Sequence, residues 1–157
     1  MINYQKIFNR FNQNKDDYYF FSQCPESDNI IAEPFLDNPL VVVAPANQEL
    51  TKKMPISLNR LSHYPFLLRE LGSGTRRSID DFCKQHKFKL NAKMTIESNE
   101  AIKHSVAADL GLAILSSHTL DYMQDTSLVR LDVEHFPIKN HWYLVRAKNT
   151  SLSSSFN

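Results

Sequence analysis

Between Phe66 and Leu115, three short apolar runs alternate with two segments of helical period. No other stretch of this 157-residue chain limits its fold so strongly. Phe66-Leu67-Leu68-Arg69 reads as a short strand. Residues 75–87 then bring Ile79, Phe82, Cys83 and His86 to i, i+3, i+4 and i+7, which is one face of a helix. Lys93-Met94-Thr95-Ile96-Glu97 alternates as a strand does. A helix over Asn99 to Leu110 presents Ile102 and Val106, with Gly111 expected at its C′ stop. Leu112-Ala113-Ile114-Leu115 is a third strand with the composition of a buried one. This order, with short connections, predicts a parallel βαβαβ unit with right-handed crossovers, and hence an α/β fold. The chain holds only 3 glycines, where average usage of roughly 7% would give about eleven. All of them (Gly72, Gly74 and Gly111) fall inside this unit.

The flanks are less regular. Ile7, Phe8 and Phe11 sit at helical spacing and suggest a short amphipathic helix. Asp17 to Phe21 reads as an aromatic strand, Cys24 to Asn29 as a turn, and Ile30 to Ala32 as a short strand. Leu40-Val41-Val42-Val43, within Pro39 to Ala44, suits a strand covered on both faces. Thr51 to Pro55 reads as an exposed connection, and Ser57 to Leu61 as one helical turn. Two further strands are expected at Leu128 to Val133 and His141 to Val145, ahead of a polar tail over Thr150 to Ser155.

Composition excludes several function classes. A net charge of +1 lacks the concentrated excess of Lys and Arg that phosphate neutralisation requires. No apolar run approaches the ~20 residues of a membrane-spanning helix, and the N-terminus lacks the apolar core of a secretory signal. Cys24 and Cys83 are too few for a disulfide framework, which fits a reducing compartment. Six scattered histidines without H-x-x-x-H or C-x-x-C spacing predict no metal site. No cofactor motif is present, and no nucleophile elbow or acid–base constellation supports catalysis.

In an open parallel sheet, ligands bind beyond the carboxyl ends of the strands. Three loops meet that description. In Glu70-Leu71-Gly72-Ser73-Gly74-Thr75-Arg76-Arg77, the glycines permit positive φ, Ser73 and Thr75 offer hydroxyls, and Arg76 or Arg77 adds charge beside a helix start. That suits a carboxylate or phosphate, and it equally suits a turn capped by Ser73 or Thr75 with solvated arginines. In Glu97-Ser98-Asn99-Glu100, Ser98 and Asn99 are either helix caps or ligand contacts, while Glu100 opposes an anion and reads as structural. Ser116-Ser117-His118-Thr119 completes a polar rim.

These residues carry a specific resemblance. Ala32-Glu33-Pro34-Phe35-Leu36-Asp37-Asn38-Pro39 through Pro45, Pro65 through Arg76 with its G-S-G-T-R block, and Ser98-Asn99-Glu100-Ala101-Ile102-Lys103 followed by Val106 through Leu112 resemble LysR-type transcriptional regulators. With Asp16-Asp17-Tyr18 and His141-Trp142-Tyr143 added, the chain is most similar to the RuBisCO-operon regulators of cyanobacteria and algal plastids. The resemblance spans about Asn12 to Lys148.

It implies a periplasmic-binding-protein-like, two-lobed effector domain, with lobe two nearly complete and lobe one truncated. The expected division is 1–46 for partial lobe one with the crossover strand, 47–137 for lobe two, and 138–157 for the return strand and tail. The implied effector is a small anionic metabolite such as a sugar phosphate, 2-phosphoglycolate or 2-oxoglutarate. Its expected contacts are Ser73, Gly74, Thr75, Arg76, Ser98 and Asn99. A homo-oligomer is implied, with DNA reached only through a winged helix-turn-helix that has no counterpart before Met1. The implied location is the plastid stroma or, as the alternative, a bacterial cytoplasm. Asp109 stands where such regulators usually have glycine, and Leu71 replaces a usual proline.

Overall fold

The computed structural model describes residues 18–21, 27–121 and 127–148. The expected N-terminal helix, Cys24 and the polar tail lie outside the described residues. The strands are β1 (Tyr19–Phe21), β2 (Ile30–Asp37), β3 (Leu40–Pro45), β4 (Pro65–Leu68), β5 (Asn91–Thr95), β6 (Leu112–Ser116), β7 (Leu128–Leu131) and β8 (His141–Ala147). The helices are α1 (Leu58–Leu61), α2 (Gly74–Gln85), α3 (Asn99–Ala107) and α4 (Ser117–Asp121), with a 3₁₀ turn over Glu49–Lys52 that overlaps the start of the connection expected at Thr51 to Pro55. No helix among the described residues is long and apolar enough to cross a membrane.

Two sheets result. The smaller has the order β1-β8-β2, all antiparallel, and the larger has the order β5-β4-β6-β3-β7. Strand β4 runs parallel to both β5 and β6, as the alternating pattern predicts, while β3 is antiparallel to β6 and β7. The chain passes from the small sheet to the large one between Asp37 and Leu40, so β3 pairs wholly within the large sheet, ahead of the expected boundary at 46. It returns beside that crossing: Leu40 bridges Ile138, and the Asn38 N–H donates to the Asn140 carbonyl at 2.7 Å.

The apolar run of β3 is continuous because both faces of the large sheet are covered. Leu40 and Val42 pack with Phe66, Leu68, Ile79 and Phe82 under α2, whereas Val41 and Val43 pack with Leu67, Ile102 and Val106 under α3. Every residue of β3 and β6 is buried.

Four expectations need correction. Strand β2 runs eight residues rather than three, through Pro34. Proline is tolerated there because, among the described residues, β2 is an edge strand paired with β8 alone, and the register shifts between Pro34 and Leu36. Strand β5 begins two residues earlier than expected and has no buried face; all five residues are exposed. It is the outermost strand, while α3 packs over β3, β4 and β6.

Helix α3 stops at Ala107, three residues short of Leu110. Its left-handed C′ residue is Asp109 (φ 62°), with Leu110 N–H donating to Ser105 O at 3.1 Å and Asp109 N–H to Val106 O at 2.9 Å. Gly111 is instead needed for close approach, since a Cβ there would lie 3.0 Å from the Pro65 carbonyl oxygen and 3.1 Å from Leu67 Cγ. Of the glycines, Gly72 alone takes positive φ (92°); Gly74 is the first residue of α2.

Candidate functional site

Strands β4 and β6 end at one edge of the large sheet, where the chain crosses from the small one. Arg69 directly follows β4, Ser116 closes β6, Asn38 sits in the crossing, and Ser98 and Asn99 open α3. With Leu36 and Trp142 from the small sheet, these residues line a cavity of about 790 Å³.

Arg69 and Lys103, both on the cavity wall, are only 6% and 8% exposed. Arg69 donates from Nε and one terminal nitrogen to the two carboxylate oxygens of Glu70, at 3.1 and 3.0 Å, and from the other terminal nitrogen to Asn99 Oδ1 at 2.9 Å. Lys103 Nζ lies 2.6 Å from Glu100 Oε1, one helical turn back. Buried charges persist only when paired and hydrogen-bonded, and each cation here has a carboxylate of its own. The Ser116 hydroxyl donates to Asn38 Oδ1 and accepts the His118 backbone N–H at 3.3 Å, which ties the crossing to the rim of the large sheet. His118 Nε2 is 2.8 Å from the Asp37 carbonyl.

Only two of the six expected contact residues line this cavity. Ser98 caps α3 by accepting the Ala101 N–H at 3.2 Å, and Asn99 orients Arg69. Ser73, Gly74 and Thr75 are buried, and with Arg76 they do not line it. Ser73 caps α2 by accepting the Arg76 N–H at 3.4 Å. The Arg76 guanidinium donates to the Arg69 carbonyl at 2.9 Å and to Asp80 at 3.2 Å, so this loop braces the backbone of Arg69. Replacing Ser73 by alanine should cost about 1 kcal/mol of stability in urea denaturation, the usual value of an N-cap hydroxyl.

Arg69 and Lys103 were not singled out by the sequence reading. Position was the available signal: Arg69 is the residue at the carboxyl end of β4, and Lys103 stands four residues after Asn99 on the same helix face.

A second cavity of about 640 Å³ opens on the α2 side, lined by Arg77, Ser78, His86, Lys139 and Asn140 among others. Ser78 hydrogen-bonds Asn140 there at 3.2 Å. Among the described residues, no group of three or more His, Cys, Asp or Glu side chains could hold a metal ion.

Cys83 is half-buried on α2, and its thiol is pushed up to about 11, chiefly by burial, with the Asp80 carboxylate adding and Arg76 opposing. A raised value keeps the thiol neutral, so its contribution to stability is complete below the ordinary thiol value of 9.0 and is lost as pH rises through about 11. Iodoacetamide labelling of the Cys83 peptide, followed by mass spectrometry, should therefore be slow at pH 8 in the folded chain and accelerate toward pH 11.

Comparison with known proteins is consistent with this geometry. The family model of the LysR substrate binding domain matches residues 2–157. The HTH-type transcriptional activator CmpR of a Synechocystis strain is 43% identical over 152 residues, covering 96% of this chain and 50% of the relative. The RuBisCO operon transcriptional regulator of Acidithiobacillus ferrooxidans is 44% identical over 144 residues, covering 91% of this chain and 47% of that protein. The chain thus spans about half the length of these curated relatives. The structure of the Synechocystis PCC6803 CcmR regulatory domain in complex with 2-PG superimposes with a TM-score of 0.90 at 38% identity, covering 98% of this chain and 74% of that one. The effector binding domain of QuiR in complex with shikimate shares the fold, with a TM-score of 0.82 at 22% identity.

Proposed function

Because this chain belongs to the LysR substrate binding domain family, we propose that it senses a small anionic metabolite in the cavity between its two sheets. One observation carries the reading: two buried cations, Arg69 and Lys103, stand on the wall of that cavity. Charge-assisted hydrogen bonds from a buried guanidinium are the strong way to hold a carboxylate or phosphate. The likeness to a regulatory domain solved with 2-PG supports a phosphorylated acid of that size, 2-phosphoglycolate being the first candidate.

In this reading Arg69, Lys103, Ser98 and Asn99 face the anion. Ser73, Gly74, Thr75 and Arg76 hold Arg69 in place through its carbonyl and the start of α2. The small sheet with the crossing forms lobe one, and the large sheet forms lobe two. The paired crossings at Asn38 and Asn140 act as the hinge. An anion held between the lobes favours the closed arrangement by its differential affinity for it. Homo-oligomerisation and a DNA-binding segment, such as the longer relatives' names imply, would carry that bias to carbon-fixation promoters.

The relatives named here are bacterial transcription regulators, and a regulatory rather than catalytic role is assigned to this chain. A bacterial cytoplasm accords with them. The plastid stroma rests on the resemblance to algal plastid regulators together with the frequent Asn, Lys, Ile and Phe, a composition that AT-rich coding genomes favour.

The test is calorimetric titration of the chain with 2-phosphoglycolate, 2-oxoglutarate and a neutral sugar. The reading expects saturable, salt-weakened binding of an anion and none of the sugar. Absence of any anion binding at millimolar concentration contradicts it.

A second reading, an interaction fragment that pairs with a full-length regulator, is favoured by one feature. The rings of Phe20 and Phe35 meet at a tilted angle with centroids 5.4 Å apart on the small sheet, while 47% and 61% exposed. Exposed apolar clusters of this kind mark association surfaces. A monodisperse monomer on size-exclusion chromatography counts against it.

A further inference from the structure

The two cations of the cavity are already neutralised, each by a neighbour in its own chain segment. Glu70 takes two of the three donor edges of Arg69, and Glu100 takes Lys103. The two carboxylates differ in freedom: the Glu100 side chain is 72% exposed, whereas that of Glu70 is 18% exposed and held by two hydrogen bonds.

An entering anion therefore does not meet bare positive charge. It must take a cation from a carboxylate that already holds it. We propose that Glu70 and Glu100 are internal competitors of the effector, so that binding is an exchange of counter-ions, and that this exchange selects multiply charged anions over monoanions. The inference rests on the anion-sensing reading above.

Chemistry sets the selectivity. A monoanion that displaces one carboxylate exchanges one negative charge for another and loses the covalent proximity of the original partner. An anion with a phosphate, about −1.5 to −2 near neutral pH, and a carboxylate can meet both cations at once and brings more charge than the two carboxylates it displaces. Glu100 leaves first, because rotation about its own bonds takes it into water. Glu70 stays longer and shares Arg69, whose guanidinium has five N–H donors and gives two of them to Glu70 and one to Asn99. While the cavity is empty, the same pairs keep two buried cations from being unpaired, which is the costly alternative.

The experiment is calorimetric titration of the whole 157-residue chain and of the isosteric variants Glu100→Gln and Glu70→Gln. The probes are 2-phosphoglycolate and glycolate, with a thermal melt of each variant. The proposal expects Glu100→Gln to bind 2-phosphoglycolate about two- to fivefold tighter, the upper part of the range spanned by loss of one partly exposed competing ion pair. It also expects the preference for 2-phosphoglycolate over glycolate to shrink, which a purely structural role for the carboxylate would not produce.

Binding by the natural chain with unchanged or weaker affinity in both folded variants overturns the exchange and leaves anion sensing standing. Silence of the natural chain at millimolar concentration overturns both readings.

Discussion

Replacing Arg69 with methionine is expected to weaken 2-phosphoglycolate binding by about 10- to 100-fold, the loss of one charge-assisted hydrogen bond at roughly 1.5–3 kcal/mol. It should also destabilise the chain, because the Glu70 carboxylate, 18% exposed, is left without the fork that holds it. Removing one partner of a fully buried pair costs about 3–5 kcal/mol, and partial exposure of Glu70 brings the expectation down to about 2–3 kcal/mol. Arg69→Lys separates the effects. Lysine keeps the charge and should recover part of the stability in urea denaturation. It lacks the planar fork that can serve Glu70, Asn99 and a ligand together, so affinity should remain well below that of the natural chain. Equal recovery of both would argue for a simple point charge.

The largest effect on folding is expected at Phe66. It is 0% exposed in β4, a central strand of the large sheet, and packs in the α2-side core with Leu40, Leu68, Ile79 and Phe82. Phe66→Ala should cost about 3–5 kcal/mol through lost transfer energy and the cavity left behind. That is a large part of the roughly 5–15 kcal/mol that holds a typical domain. A thermal melt followed by circular dichroism should show a transition far below that of the natural chain, or none. Met94→Ala on the adjacent β5 provides the contrast: Met94 is 47% exposed and its removal should change the melt little.

The difference between those neighbouring strands marks what sequence can and cannot disclose here. The βαβαβ unit was legible because Ile79 with Phe82, and Ile102 with Val106, repeat at helical spacing between apolar runs, and local periodicity records which face of an element is covered. It does not record which strand ends a sheet. Lys93-Met94-Thr95-Ile96 alternates like a half-buried strand, yet β5 is an edge strand with all five residues exposed, and Ile96 meets the core only after the strand has ended.

Glycine was misread for a similar reason. A helix stop and a close approach both call for it, and here Asp109 takes the left-handed stop while Gly111 admits the backbone of β4. The family and its two-sheet fold could be recognised because the G-S-G-T-R and S-N-E-A-I-K blocks are long and specific. The wall of the cavity was harder. Ser73 and Ser98 are caps in the structure, and the hydroxyls that serve a helix N-terminus have the composition of an anion loop. Arg69 and Lys103 look like ordinary surface cations until the sheet edge and the α3 face bring them together.

Localisation of the bound anion tests the central claim most directly. Amide hydrogen exchange of the chain with and without saturating 2-phosphoglycolate should show slowed exchange over residues 97–103, after Arg69, and over residues 116–119, the segments that wall the larger cavity. Residues 77–86 and 135–140, around the cavity on the α2 side, should be unchanged. Protection confined to the α2 side, or none at a saturating concentration, would contradict the account.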